Sequence, residues 1–275
     1  VSLTSLSTTD HSCCSQILAR LNRRLADTGI RVSIPSQRLD SFGVDMALQV
    51  AGEKKGGLTF APEAGSQRLR DVINKNVTED DLERATRAAF EAGWRRVKLY
   101  FMMGLPGERD EDIIAIANLA DKTYELAREV VPKAQRGNVS VSISCSVFIP
   151  KAQTPFQWCA QTPDEEVKRR QQLLLASVKN RAVRVHYHDA DTSLLEAVLS
   201  RGGRDITPLI VGAWKRGARF DAWTEQFDLS RWDDAAAELG IDLRAVASTP
   251  FDLGMRLPWE HVSPGIKRGF LEREY

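Results

Sequence analysis

Arg96-Val97-Lys98-Leu99-Tyr100-Phe101-Met102-Met103-Gly104-Leu105-Pro106-Gly107-Glu108 is the stretch that decides the fold. Its first eight residues are rich in apolar and aromatic side chains that suit a strand, and Gly104-Leu105-Pro106-Gly107 is a tight turn. Glu108–Asp112 then opens a helix whose acidic first turn suits the positive end of the helix dipole, and which runs to about Val130. A strand that turns at once into a helix is one βα unit, and the pattern repeats on both sides. Upstream, Gly57–Ala61 reads as a strand. Thr78-Glu79-Asp80-Asp81 opens a helix with Leu82, Ala85, Ala89 and Phe90 on one side, closed by Gly93. Earlier still, Val1–Leu6 and Ile30–Ile34 read as strands. The helix between them is capped at Thr9-Asp10 and stops at Thr28-Gly29, and Val44–Val50 reads as a short helix. Downstream, Val139–Ile149 is nearly apolar in its second half, as expected of a strand buried on both faces.

Strands alternating with helices predict an α/β fold with a parallel sheet, open or curled into a barrel, whose active edge lies at the carboxyl ends of the strands. That edge comprises Ser7–Asp10, Pro35–Ser41, Pro62–Gly65, Gly104–Glu108 and Pro150–Phe156. Past about Gln161 the texture changes. A long helix over Pro163–Asn180 leads to a short strand, Val183–His188, and then to helices over Thr192–Ser200, Ile206–Arg216 and Ser230–Leu239. Two domains are expected, residues 1–161 with the sheet and residues 162–275 mainly helical. Trp214, Phe220, Trp223 and Trp232 read as the core of the helical part rather than a stacking platform for bases, because no dense basic stretch is interleaved with them.

The chain has 275 residues, 43% of them hydrophobic and 27% charged, the balance of a globular protein with a real core. Lys and Arg number 38 against 37 Asp and Glu, so no overall field draws nucleic acid or an anionic membrane. No apolar run approaches the roughly 20 residues of a membrane span. The four cysteines, Cys13, Cys14, Cys145 and Cys159, have no ligand spacing for zinc or an iron–sulfur cluster and do not form a secreted disulfide framework. A reducing cytoplasm is the expected location. The chain opens at Val1 directly in a strand, which reads as a fragment whose upstream part is missing.

Three strand ends together resemble the radical S-adenosylmethionine (SAM) superfamily. These are Leu58-Thr59-Phe60-Ala61-Pro62-Glu63-Ala64-Gly65-Ser66-Gln67-Arg68-Leu69, Met103-Gly104-Leu105-Pro106-Gly107-Glu108, and Phe148-Ile149-Pro150-Lys151-Ala152-Gln153-Thr154-Pro155-Phe156. The strings Pro155-Phe156-Gln157-Trp158, Arg219-Phe220-Asp221-Ala222-Trp223 and Leu257-Pro258-Trp259 are similar to a subgroup with a cobalamin-binding-like domain upstream. The resemblance implies a partial (β/α)6 barrel of which strands two to six are present, followed by the helical domain. It also implies SAM and a [4Fe–4S] cluster as cofactors, with cobalamin through the upstream domain. The superfamily holds its cluster with a CxxxCxxC loop after strand one, and that spacing is absent here. A chain without that first unit exposes Val1–Leu6 as a sheet edge.

The resemblance also distributes cofactor contacts along the strand ends. Ser7 and Thr8 stand where many relatives carry a Gly-Gly-Glu motif for the methionine amino group, although Thr9 and Asp10 there are explained equally by helix capping. Glu63 accepts hydrogen bonds from the ammonium or ribose of SAM, or else is an acid before the helix at Ser66. Lys75 pairs with the SAM carboxylate, or is a solvated lysine. Tyr100 replaces an acidic ribose contact. Gly104 lets backbone approach a ligand or simply makes the turn. Phe148, Ile149 and Pro150 form an apolar wall for adenine, with core packing as the alternative for Phe148 and Ile149. Cys145 reads as a small buried residue. His186 and His188, with Asp189 and Asp191, form either a metal or proton-transfer site or a structural strand end with a helix cap.

The resulting expectation is the carboxyl-terminal portion of an enzyme that cleaves SAM to a 5′-deoxyadenosyl radical, on an unspecified substrate. It relies on the upstream part of its own polypeptide and on a reductant protein for the cluster. The alternatives are a SAM-binding or interaction module without a cluster, and a tRNA-modifying radical SAM enzyme. The charge balance offers no support for RNA.

Overall fold

The computed structural model describes residues 3, 11–30, 32 and 57–275. The readings placed on Val1–Leu6, Ser7–Asp10, Ile30–Ile34, Pro35–Ser41 and Val44–Val50, including the candidate contacts Ser7 and Thr8, fall wholly or largely outside the described residues. Helix α1 (Cys14–Leu25) passes into a 3-10 turn at Ala26–Thr28 and ends at Gly29, whose φ of 67° is the left-handed stop read from Thr28-Gly29. Leu18 and Cys14 are its buried residues, packed against Leu3 and Val32.

The chain then gives β1 (Leu58–Glu63), α2 (Gln67–Val72), α3 (Glu79–Glu91), β2 (Arg96–Met103), α4 (Asp110–Val130) and β3 (Ser140–Val147). It continues with α5 (Asp164–Ser177) and β4 (Val183–Tyr187). The four strands form one sheet in chain order, with β1 parallel to β2 and β3 parallel to β4. Thr78 caps α3 through a reciprocal box with Asp81, Asp81 N donating to Thr78 Oγ1 at 3.1 Å and Thr78 N to Asp81 Oδ2 at 2.9 Å.

Burial alternates along the first three strands. One sheet face carries Phe60, Leu99, Phe101 and Ile143, all fully buried, with Ile113 and Ile116 of α4 also in the core. The opposite face is half-open and carries Thr59, Lys98, Tyr100, Met102, Ser142, Ser144 and Ser146. This corrects the expectation of a doubly buried strand at Val139–Ile149. The serines occupy every second position of β3, so only one of its faces is apolar. The apolar run at its end, Phe148-Ile149, lies beyond the strand.

After β4 come α6 (Ala190–Arg201), α7 (Thr207–Lys215), α8 (Ser230–Leu239), α9 (Leu243–Ser248) and α10 (Arg268–Glu274). The chain divides into two compact units. The first comprises Val1–Met103, Gly107–Ser146 and Arg170–Tyr187; the second comprises Gly104–Pro106, Val147–Arg169 and His188–Tyr275. The core of the second unit is built from Leu194, Val198, Leu209, Trp232, Leu243 and their neighbours. Of the aromatic group expected there, only Trp232 is buried. Trp214, Phe220 and Trp223 are 55, 73 and 62% exposed. The reason is local. α7 turns Leu209 and Ala213 inward, which leaves Trp214 outside with the Arg219 guanidinium 4.7 Å from its ring centroid. No helix among the described residues is long and apolar enough to cross a membrane.

Candidate functional site

In the first unit, β1 ends at Glu63, where its pairing with β2 shifts register between Phe60 and Glu63. Glu63 has φ 69°, a left-handed conformation that costs a residue with a Cβ about 1–2 kcal/mol. Strain of this kind persists only where the surroundings hold it, and such sites often serve to aim a side chain. Lys75 Nζ donates to Glu63 Oε1 at 3.3 Å, with the two side chains 34 and 24% exposed. The two residues assigned separately to a ligand are therefore each other's partner. Glu63 is also no helix-starting acid, because the first turn of α2 contains no acidic residue.

The segment that follows Glu63 is clamped from two sides. Arg70, 1% exposed, donates to Ala64 O at 3.0 Å, to Gly65 O at 3.1 Å and to Gln67 Oε1 at 3.1 Å. On the other side Gly65 presses on α4, where a Cβ would lie 2.2 Å from Asp112 O and 2.5 Å from Ile116 N. Only glycine fits that approach. Ser66 accepts from Leu69 N at 3.1 Å as the cap of α2 and donates its own hydroxyl proton to Asp112.

Asp112 gathers the surrounding loops. Besides Ser66 it accepts from Arg68 and, at 2.7 Å, from Arg109 N, while Arg68 also donates to Gly107 O at 2.9 Å. Burial pushes the Asp112 carboxyl up, but the Ser66 hydroxyl, the Arg109 amide and the Arg68 guanidinium outweigh it and hold the group below its ordinary value. Sequence reasoning missed Arg70, Arg68 and Asp112. Ser66 and Asp112 are 46 residues apart, and no local pattern announces their contact.

Tyr100 stands half-buried on the open sheet face between Lys98 and Met102. Glu108, 1% exposed at its side chain, accepts from Arg170 at 2.6 Å. Burial, with a contribution from the Glu108 carboxylate, pushes the Cys145 thiol far above its ordinary value, so Cys145 is the inert buried residue expected.

In the second unit, Gly104 has φ 87°, and a Cβ there would meet Thr162 Oγ1 at 3.0 Å. Thr162 in turn donates to Gly104 O at 3.2 Å. The turn after β2 thus requires glycine for conformation and space together. Phe148 is half-buried, edge-on to Phe156 with centroids 5.8 Å apart. Ile149 packs in the core of this unit, and Pro150 is buried. Asp189 caps α6, accepting from Thr192 N at 2.9 Å, and Asp191 pairs with Lys168 at 3.0 Å. The described residues contain no group of three or more His, Cys, Asp or Glu placed to hold a metal ion.

A carboxylate and an ammonium side by side, both partly open to solvent, are the complementary set for an α-amino acid, whose two charges would replace one ion pair by two. The chain's residues therefore fit the methionine end of SAM. They do not fit an iron–sulfur cluster. Cys14, Cys145 and Cys159 are buried, Cys13 is exposed, and no CxxxCxxC spacing exists.

Residues 1–120 match the family model of the Radical SAM superfamily. The chain is 30% identical over 213 residues to an uncharacterized protein of Methanocaldococcus jannaschii, covering 74% of this chain and 44% of that protein. It thus spans less than half the length of the relative. The mixed α/β sheet and the helical second unit agree with the partial barrel and helical domain that the resemblance implies.

Proposed function

We propose that this chain, whose residues 1–120 belong to the Radical SAM superfamily, binds SAM at the carboxyl ends of its strands as part of a radical SAM enzyme. The observation that carries the reading is the Glu63–Lys75 pair at the end of β1. Glu63 accepts hydrogen bonds from the ammonium of the bound amino acid and Lys75 donates to its carboxylate. The strained backbone at Glu63 and the Arg70 clamp behind it fix the direction from which the two are approached. Tyr100, half-buried on the open sheet face, offers a phenol to the ribose.

In such enzymes SAM, together with a reduced [4Fe–4S] cluster, supplies a carbon-centred radical that abstracts hydrogen from a substrate. No cluster ligand is assigned to the residues of this chain. The cluster-bearing segment and the reductant protein are contributed from outside it, and the role of these residues is to bind and orient.

Titration calorimetry with SAM tests the reading directly. We expect saturable one-to-one binding that weakens about tenfold or more in Glu63→Gln and in Lys75→Met, since a hydrogen bond to a charged group contributes about 1.5–3 kcal/mol. S-adenosylhomocysteine, with the same amino-acid end, should compete. The reading fails if no saturable binding is found, or if both variants bind like the parent chain.

A further inference from the structure

The half-open sheet face of the first unit carries a charge pattern that the SAM contacts leave unused. Thr59 of β1 is in register with Lys98 of β2, and in β3 and β4 Ser142 is in register with Arg184 and Ser144 with His186. Ser140 N donates to Arg95 O at 2.9 Å, a parallel-ladder bond that sets Ser142 beside Lys98. Thr59, Lys98, Ser142 and Arg184 therefore form one row across the four strands, on one face, because residues in register share a side of the sheet. Burial agrees with this placement. Lys98 stands between buried Val97 and Leu99, and Arg184 follows buried Val183, yet both are exposed.

The row is cationic and faces no charge of opposite sign. Arg96, also exposed, lies two residues before Lys98 on the same side of β2. The four strands include a single carboxylate, Glu63, which Lys75 already holds. Among the described residues no ion pair joins Arg96, Lys98 or Arg184 to an acid, whereas Lys122, Lys151 and Lys168 each have one. In a chain whose charges sum to +1, so local an excess is a property of this face rather than of the whole protein.

Neighbouring strands lie about 4.8 Å apart, so the backbones at Lys98 and Arg184 are separated by roughly 10 Å, with Ser142 between them. Both side chains are long enough to close on one group above Ser142. An ammonium, a planar guanidinium fork and a hydroxyl are together the donor set for a phosphoryl group. Ser144 and His186 occupy the next row, about 6.6 Å further along the strands, which is the reach of a short polyol chain attached to that phosphoryl group.

We propose that this face binds a phosphorylated, hydroxyl-bearing small molecule, its phosphoryl group held by Lys98, Arg184 and Ser142 and its hydroxyls by Ser144 and His186. Regarding that molecule as the substrate of a radical reaction rests on the SAM reading; the anion site itself does not.

The test is a 31P NMR titration of glycerol 3-phosphate with the full chain, without SAM, at about 0.15 M salt to screen non-specific attraction. The phosphorus signal should shift saturably, and affinity should fall about tenfold or more in Lys98→Met and in Arg184→Met, since each loses a charge-assisted hydrogen bond. Both residues are exposed, so circular dichroism should show these variants folded like the parent chain. Glycerol should not compete, and inorganic phosphate, which lacks the hydroxyls, should compete more weakly than the ester. Glu63→Gln and Lys75→Met should bind glycerol 3-phosphate as the parent does, so a failure of the SAM reading and a failure of this site are separate results. The absence of a saturable shift, or undiminished affinity in both cation variants, would overturn the proposal. So would inorganic phosphate binding as tightly as the ester, which would make this a site for free phosphate. Much tighter binding of a short oligouridylate would also overturn it, by making the face a nucleic-acid surface.

Discussion

Lys75 Nζ lies 3.3 Å from Glu63 Oε1, so a ligand that uses either group must part them. Since both side chains are partly exposed, their attraction contributes about 1 kcal/mol at most. That is small enough for a zwitterionic ligand to displace it.

The backbone of Glu63 gives a prediction that separates strain from ion pairing. Glu63→Ala loses the pair and keeps the left-handed conformation, whereas Glu63→Gly loses the pair and relieves it. The glycine variant should therefore melt above the alanine variant, by the equivalent of about 1 kcal/mol, while both lose affinity for SAM. Thermal denaturation followed by circular dichroism makes the comparison. Equal melting temperatures would show that the surroundings do not impose the strain.

Gly65→Ala should be among the most damaging single-methyl additions in the first unit. The new Cβ meets backbone atoms of α4, Asp112 O and Ile116 N, which cannot rotate away as a side chain end would. A loss of about 3 kcal/mol or more is expected in urea unfolding, at the upper end for overpacking. Gly107→Ala, which has open space around it but φ 71°, should lose only the conformational cost of about 1 kcal/mol.

Asp112 links stability to acid. Its folded pKa lies below the ordinary carboxylate value of about 3.9, so its contribution is complete above that pH and disappears as pH falls through the folded value. Asp112→Asn should lower stability by about 2 kcal/mol near neutrality and by progressively less below about pH 4. Urea midpoints measured from pH 7 to pH 3 would show the two curves converging. Parallel curves would mean that the charge on Asp112 is not what binds Ser66, Arg68 and Arg109 together.

In the second unit, Arg201 is 1% exposed and donates to the carbonyls of Cys159, Thr249 and, at 3.2 Å, Val246, with its guanidinium 4.3 Å from the Phe251 ring centroid. Arg201→Leu leaves three carbonyls without their donor and should cost about 3 kcal/mol or more in chemical denaturation. Arg201→Lys keeps the charge but not the planar fork and should recover less than half of the loss.

Elements governed by local chemistry were legible in the sequence. Arg96–Met103 and Ser230–Leu239 form where they were read, and Thr78 caps α3 because its hydroxyl and Asp81 are neighbours on one turn. α9 and α10, only six and seven residues long, leave no mark in the sequence, because one or two turns hardly establish a 3.6-residue period. Phe148-Ile149 disguised the one-sided pattern of Ser142, Ser144 and Ser146. Trp214, Phe220 and Trp223 lie outside the core that their apolar character suggests, because composition identifies a large apolar side chain without saying which way its helix or turn faces it. At the candidate site, Glu63 and Lys75 could each be singled out from the sequence. Their mutual pairing, and the hold of Arg70 and Asp112 on the loop between them, depend on a turn that only the folded backbone defines.

The carbonyls that hold Arg201 come from segments 42, 45 and 48 residues away along the chain. A guanidinium so enclosed stays out of water only while all of them are docked, and the departure of any one leaves a charge in a half-dry site. Intermediate openings are thereby disfavoured. The segments around Cys159, Val246 and Thr249 should come apart together, which makes this part of the second unit a single cooperative body despite being assembled from short helices and irregular chain.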